Sequence, residues 1–354
     1  MKKWLALLVT LSLLLCGCAE VVVMVPAETA QTGAPVSGDG LMIHFIDVGQ
    51  ADCALLECGG EYMIIDGGNV DDGQLVVSYL EQQGVEELEA VVCTHAHEDH
   101  VGGLPSVLAV FPAKAVYAPT KTYSSRCFDD FVYYTDQQRL EITLPNPGDT
   151  IALGEAGVTV LGPVKSYADP NDTSIVIRVE YGESSFLFTG DMEVTAENDM
   201  LDYWGDRVDW QSDVLKVGHH GSNTSTGYRF LYEVDPDYGV ISVGEGNSYG
   251  HPHAEPLSRF QDAGVTLMRT DHLGTVVAVT DGKEITFTWG NQNAQPEDVE
   301  PGEPVAQTFI GNKNSKKFHS PDCSSLPKEE NRVTFNGYQE AVEAGYSPCG
   351  GCLG

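Results

Sequence analysis

Thr94-His95-Ala96-His97-Glu98-Asp99-His100 constrains this chain more than any other stretch. Leu88 to Cys93, just before it, is short, apolar and rich in Val, the pattern of a buried strand. Val101-Gly102-Gly103-Leu104-Pro105 follows, and Ser106 to Phe111 then has the apolar spacing of a helix. The polar side chains therefore fall on a loop between a strand end and a helix start, where open α/β sheets place their chemistry. Imidazoles and carboxylates crowded this closely make a set of borderline metal ligands. In an extended loop His95 and His97 point at one ion; Asp99 and His100, past the bend, point at a second. The chain has only 10 His. His219, His220, His251 and His253 recur in two later clusters, so the loop reads as a metal site rather than a solvated surface.

With 354 residues the chain can form one large domain and a small one, and 42% hydrophobic content supports a sizeable core. Against 52 acidic residues stand 19 Lys and Arg, a net charge of −33. Such a chain has no overall basic footprint for nucleic acid phosphates, which would have to be held by metals and a local patch. Met1-Lys2-Lys3-Trp4 is basic, and Leu5 to Leu15 is apolar but too short to span a membrane stably. With Leu15-Cys16-Gly17-Cys18 this resembles a bacterial lipoprotein signal over residues 1–18, Cys18 being lipidated; the alternative is an ordinary secretory signal cut nearby. Either places the protein outside the cytoplasmic membrane, and a diacylated Cys18 anchors it there. Residues 19–40, small and polar, read as a tether.

From Leu41 the pattern is strand, turn at Gly49 to Asp52, strand, hairpin turn at Gly59-Gly60, strand to Asp66-Gly67-Gly68, then a helix over Leu75 to Gln83. That order suits a mixed α/β sandwich rather than a doubly wound sheet. The chain resembles the metallo-β-lactamase-fold hydrolases, an αββα sandwich of the α+β/α/β class with metals at one edge. His44 to Asp52, Ile64 to Gly68, Leu215 to Ser222 and Asn247 to His253 are similar to the hydrolase domain of the ComEC DNA-uptake proteins. The resemblance covers residues 41–290.

It implies His95 and His97 as ligands of a first metal and Asp99 and His100 as ligands of a second. Asp99 also takes part in catalysis, Asp191 bridges both ions, and His251 is the last ligand. Asp47 and Asp66 stand behind the ligands and orient them. Asp191 has a second reading, as the N-cap of the helical stretch after it. His219 and His220 follow a strand, and neighbours on an extended chain point opposite ways. One of them therefore faces the metals, and which one stays open. His253 is either a proton donor beside His251 or a packed residue. Many relatives place another His before the Gly190-Asp191 turn, but none lies between His100 and His219. Asn171 or Asp172 lends an oxygen there instead, which leaves open one ion or two, and Zn²⁺ or Mn²⁺.

A bridged metal pair makes hydroxide from water near neutral pH and neutralises charge on the substrate oxygen. The ComEC resemblance favours a phosphodiester substrate, DNA included. Lys216 is the cation expected beside the site, with Arg229 and Arg269 as further candidates. The alternatives are a lactone, thioester or β-lactam hydrolase on the same fold, and a DNA-capture lipoprotein without catalysis. No protein partner can be inferred.

Residues 291–306 read as a linker and 307–354 as a second module. His319-x3-Cys323 with Cys349-x2-Cys352 is a structural-zinc spacing, and a module this small needs such a staple. It resembles the zinc domain of the Ada repair protein, with His319 in place of one thiolate. A Cys349–Cys352 disulfide is the rival. Lys313, Lys316, Lys317, Lys328 and Arg332 make a local positive patch or a solvated face. Cys53 and Cys58 are candidates for a bridge.

Overall fold

The structure, a computed structural model, describes residues 40–296, 308–321 and 323–353. Cys18, the signal, residues 19–39 of the tether and most of the linker lie outside the described residues. The chain first lays down β1 (Leu41–Phe45), β2 (Ala54–Cys58), β3 (Glu61–Ile65), β4 (Ala90–Val92), β5 (Val116–Tyr117) and β6 (Ile142–Thr143). A second sheet follows from β7 (Thr150–Ile151), β8 (Gly157–Gly162), β9 (Val176–Tyr181), β10 (Ser184–Phe188), β11 (Val214–Lys216), β12 (Tyr238–Ile241) and β13 (Thr266–Arg269). β14 (Val276–Thr280) and β15 (Ile285–Trp289) return to the first sheet, whose order is β15-β14-β1-β2-β3-β4-β5-β6. The second sheet runs β13-β12-β11-β10-β9-β8-β7.

Period-two alternation separates the layers. Leu41, Ile43 and Phe45 of β1 point at Phe186 and Phe188 of β10, filling the space between the sheets. Leu55, Ile64 and Val91 face outward under α1 (Gly73–Gln82), the short α2 (Glu98–Val101), α3 (Leu104–Val110) and α4 (Arg126–Gln137). On the other flank Leu187, Leu215 and Leu267 pack beneath α5 (Val194–Trp204), α6 (Tyr228–Val234) and α7 (Ala254–Ala263). The short α8 (Thr270–Leu273) links β13 to β14. This is the expected αββα sandwich.

β3 to β6 pair in parallel, and so do β10 to β13. The loops leaving β3 and β4 therefore meet those leaving β10, β11 and β12 at one edge. Cys53 and Cys58 are free thiols. Cys53 immediately precedes β2 and Cys58 ends it, an odd spacing, so Cys53 faces the helices and Cys58 the inter-sheet core, out of reach of each other.

The C-terminal module is a small sheet, β18-β16-β17-β19, formed by β16 (Phe309–Asn312), β17 (Lys317–His319), β18 (Arg332–Phe335) and β19 (Ser347–Pro348), with α9 (Tyr338–Glu343) against it. Phe309, Phe318, Phe335 and Tyr346 form its core, and Tyr228 of α6 packs against that core from the large domain.

Candidate metal centre

Asp191 leaves the end of β10, fully buried, two residues before the N-cap of α5, which is Glu193. It is therefore not the N-cap. His95 Nε2 lies 3.9 Å from its Oδ2, His219 Nε2 3.7 Å and His220 Nε2 3.8 Å. His100 Nε2 is 3.2 Å from Oδ1, yet neither of these two buried atoms has a hydrogen-bond partner. With bonds of about 2.1 Å, two donors sharing one ion stand about 3–4 Å apart. Asp99, His100, Asp191 and His220 offer ligand atoms all within 4.8 Å of one another. His97 Nδ1 is 3.1 Å from His95 Nε2. The donor set fits a metal centre built around the Asp191 carboxylate.

The pair His219-His220 departs from the expectation. Both rings reach the centre, because the chain there is a left-handed turn, not an extended strand: φ is 50° at His219 and 53° at His220. His219 thus brings a further imidazole to the centre, where no residue between His100 and His219 offers one. Asp172 Oδ1 accepts from the Glu193 amide at 3.1 Å, while Asn171 Nδ2 donates to Glu193 Oε1 at 3.4 Å and its Oδ1 is buried with no hydrogen-bond partner.

Asp66 binds His100 Nδ1 at 2.8 Å and also accepts from the Thr94 amide and hydroxyl. Asp47 does not stand behind a histidine; it accepts from the Gly49 amide at 3.2 Å and shapes the turn bearing Gln50. Gln50 is the residue that touches His251, with Nε2 3.4 Å from Nδ1. His251 packs 5.6 Å from the His219 ring and 6.3 Å from the His220 ring. His253 Nδ1 accepts from the Asn223 amide at 3.0 Å.

Lys216 is not a free cation. It is buried, with Nζ 2.7 Å from Asp52 Oδ2, and Asp52 Oδ1 is 3.2 Å from His220 Nδ1. Arg229 pairs with Asp202, and Arg269 with Asp271. The role of Asp52 was missed, although a strand-end lysine among apolar neighbours calls for a counter-ion. Burial opposes charge throughout the centre, and at Asp52, Asp191, His100 and His220 the neighbouring groups outweigh it. Lys216 and His220 hold Asp52 well below the usual carboxylate range. Asp191 and Asp52 push His220 up to about 10. His95, where burial dominates, lies well below the usual imidazole value. Without metal, protons on His100 and His220 answer these carboxylates, so ion binding releases protons.

In the module His319, Cys323, Cys349 and Cys352 bring their ligand atoms within 4.8 Å, with His319 Nδ1 3.3 Å from Cys323 Sγ. All three cysteines are free thiols, so the rival Cys349–Cys352 disulfide is absent and the donors fit one zinc ion.

Paired donor sets at the edge of an αββα sandwich define a metal-dependent hydrolase. Residues 46–245 match the model of the metallo-beta-lactamase superfamily, and the chain belongs to that family. Residues 304–353 match the metal binding domain of Ada. ComE operon protein 3 of Bacillus subtilis is 28% identical over 253 residues, 66% of this chain and 32% of that protein. Competence protein ComA of Neisseria gonorrhoeae is 31% identical over 233 residues, 65% and 31%. Recombination protein 2 of Haemophilus influenzae is 30% identical over 235 residues, 62% and 27%. The chain spans about a third or less of these curated relatives.

Proposed function

We propose that this metallo-β-lactamase-fold hydrolase is a phosphodiesterase acting on DNA outside the cytoplasmic membrane, held there by lipid on Cys18. The carrying observation is Tyr249. It is 66% exposed, and its ring stacks on His251 at 5.6 Å and 22°. An open aromatic face beside the centre is what a nucleobase stacks on, and a small ester has no need of it. Similarity to competence and recombination proteins supports the same substrate class.

In this reading His95, His97 and His219 would hold one ion and Asp99, His100 and His220 the other, with Asp191 available to both and His251 at the rim. Such ions, when bound, acidify water and offset charge on the phosphoryl oxygens. Asp99, half-exposed at the mouth, takes the proton from the attacking water. Because His253 Nδ1 accepts a backbone hydrogen bond, the proton of a neutral ring sits on Nε2, from which it would donate a hydrogen bond to the leaving oxygen while water supplies the proton.

The test is turnover of bis(p-nitrophenyl) phosphate, then of single- and double-stranded DNA, with Mn²⁺ or Zn²⁺, beside His97→Ala. Metal-dependent cleavage that disappears in the variant supports the reading. Bound metal without turnover of any phosphodiester rejects it, and lactone and thioester substrates then take its place.

A further inference from the structure

Arg259 of α7 grips the loop that follows His219-His220. Its Nη1 donates to the Ser225 carbonyl at 2.9 Å and the Thr226 carbonyl at 2.6 Å, and Nη2 to that of Asn223 at 3.4 Å. On the loop's other side Glu197 accepts from the Thr226 and Gly227 amides. This loop positions two rings of the centre: Thr224 Oγ1 lies 3.2 Å from His219 Nδ1, and the Asn223 amide binds His253. The loop is strained. Thr226 has φ of 52°, beside the positive values at His219 and His220. Such conformations cost roughly 1–3 kcal/mol each and persist only where their surroundings over-determine them.

Arg259 is itself steadied from the C-terminal module. Its guanidinium lies 5.6 Å over the Tyr228 ring. Tyr228 stacks on Tyr338 at 5.5 Å and 9°, and meets Phe309 edge-on. Tyr338 packs edge-on against Phe318 at 4.9 Å. The Phe318 carbonyl accepts from the amide of Cys349, and Phe318 precedes His319, so the ring chain begins at the Cys/His cluster.

We propose that the C-terminal module braces the hydrolase centre: the Cys/His cluster fixes Tyr338, which holds Arg259 through Tyr228 and thereby sets His219 and His253. Arg259, Tyr228 and Tyr338 are positioning residues for metal binding. The inference rests on the hydrolase centre alone and stands or falls apart from the choice of substrate.

The test reads metal affinity rather than turnover. Metal-free full-length protein receives one equivalent of Zn²⁺, which the thiolates retain, and is titrated with Mn²⁺ while the free Mn²⁺ resonance signal is followed. Arg259→Gln and Tyr338→Ala are each expected to weaken Mn²⁺ binding by about tenfold or more, while Tyr338→Phe, which keeps the ring, binds as wild type. Mn²⁺ affinity within twofold of wild type in either Arg259→Gln or Tyr338→Ala overturns the brace, whether or not the variant keeps its zinc. Weakened binding in Tyr338→Phe also overturns it, because the stacked ring would then not be the transmitting contact.

Discussion

Asp66 accepts from the Thr94 amide at 2.7 Å, from its hydroxyl at 2.6 Å and from His100 Nδ1 at 2.8 Å. Asn at this position turns one of those oxygens into a donor and leaves His100 without a fixed tautomer. Asp66→Asn is expected to weaken ion binding at the hydrolase centre about 10–100-fold and to leave the Cys/His cluster unaffected. Calorimetric titration checks this; an unchanged affinity would detach Asp66 from the centre. His44 shows the opposite use of an imidazole. It is 2% exposed, bonded to Tyr79 Oη at 2.8 Å, and burial lowers its pKa to about 4. As pH falls below about 6.5 the unfolded chain takes up this proton first, so stability is lost between there and pH 4. Between pH 7 and pH 5 the wild type should lose about 2 kcal/mol more than His44→Phe, measured by urea unfolding. Equal losses would show that His44 does not titrate this way.

The elements that carry the centre are held by backbone contact as much as by side chains. Gly67, after β3, donates its amide to the His100 carbonyl at 2.7 Å. A Cβ on Gly103 would lie 2.0 Å from the Gly67 carbonyl oxygen. No rotamer relieves a clash with backbone, so Gly103→Ala must push α3 away from β3. A loss of at least about 2 kcal/mol in denaturant unfolding is expected, together with weaker metal binding. A variant as stable as wild type would show that the two loops can separate freely. The same region shows what sequence can and cannot reveal. The strand before His95 and the helix after Gly103 were legible because their patterns are local. The spacing from His95 to His100 was legible because its residue types have few other uses together. The left-handed turn at His219-His220 was not, since positive φ is uncommon outside glycine and tertiary contacts decide where it occurs. Nor was the Lys216–Asp52 pair, whose members are 164 residues apart and meet only when β11 lies across from the turn after β1.

At the scale of the molecule, charge decides how a polyanion approaches. A net charge of −33 repels DNA, and Lys216, the cation beside the centre, is already paired with Asp52. Lys313, Lys317 and Lys328 of the C-terminal module are exposed, whereas Lys316 lies over the Tyr346 ring at 4.4 Å. If DNA is the substrate, long-range attraction must therefore come largely from the module and cleavage from the large domain. Replacing Lys313, Lys317 and Lys328 together with Gln should weaken single-stranded DNA binding. It should also lower the slope of log affinity against log salt by about 2, since each phosphate contact contributes about 0.7. Turnover of bis(p-nitrophenyl) phosphate, too small to touch both domains, should stay at the wild-type rate. A salt slope unchanged in the triple variant would move the DNA contact away from the module. A parallel loss of small-substrate turnover would show that the lysines support the centre instead of capturing its substrate.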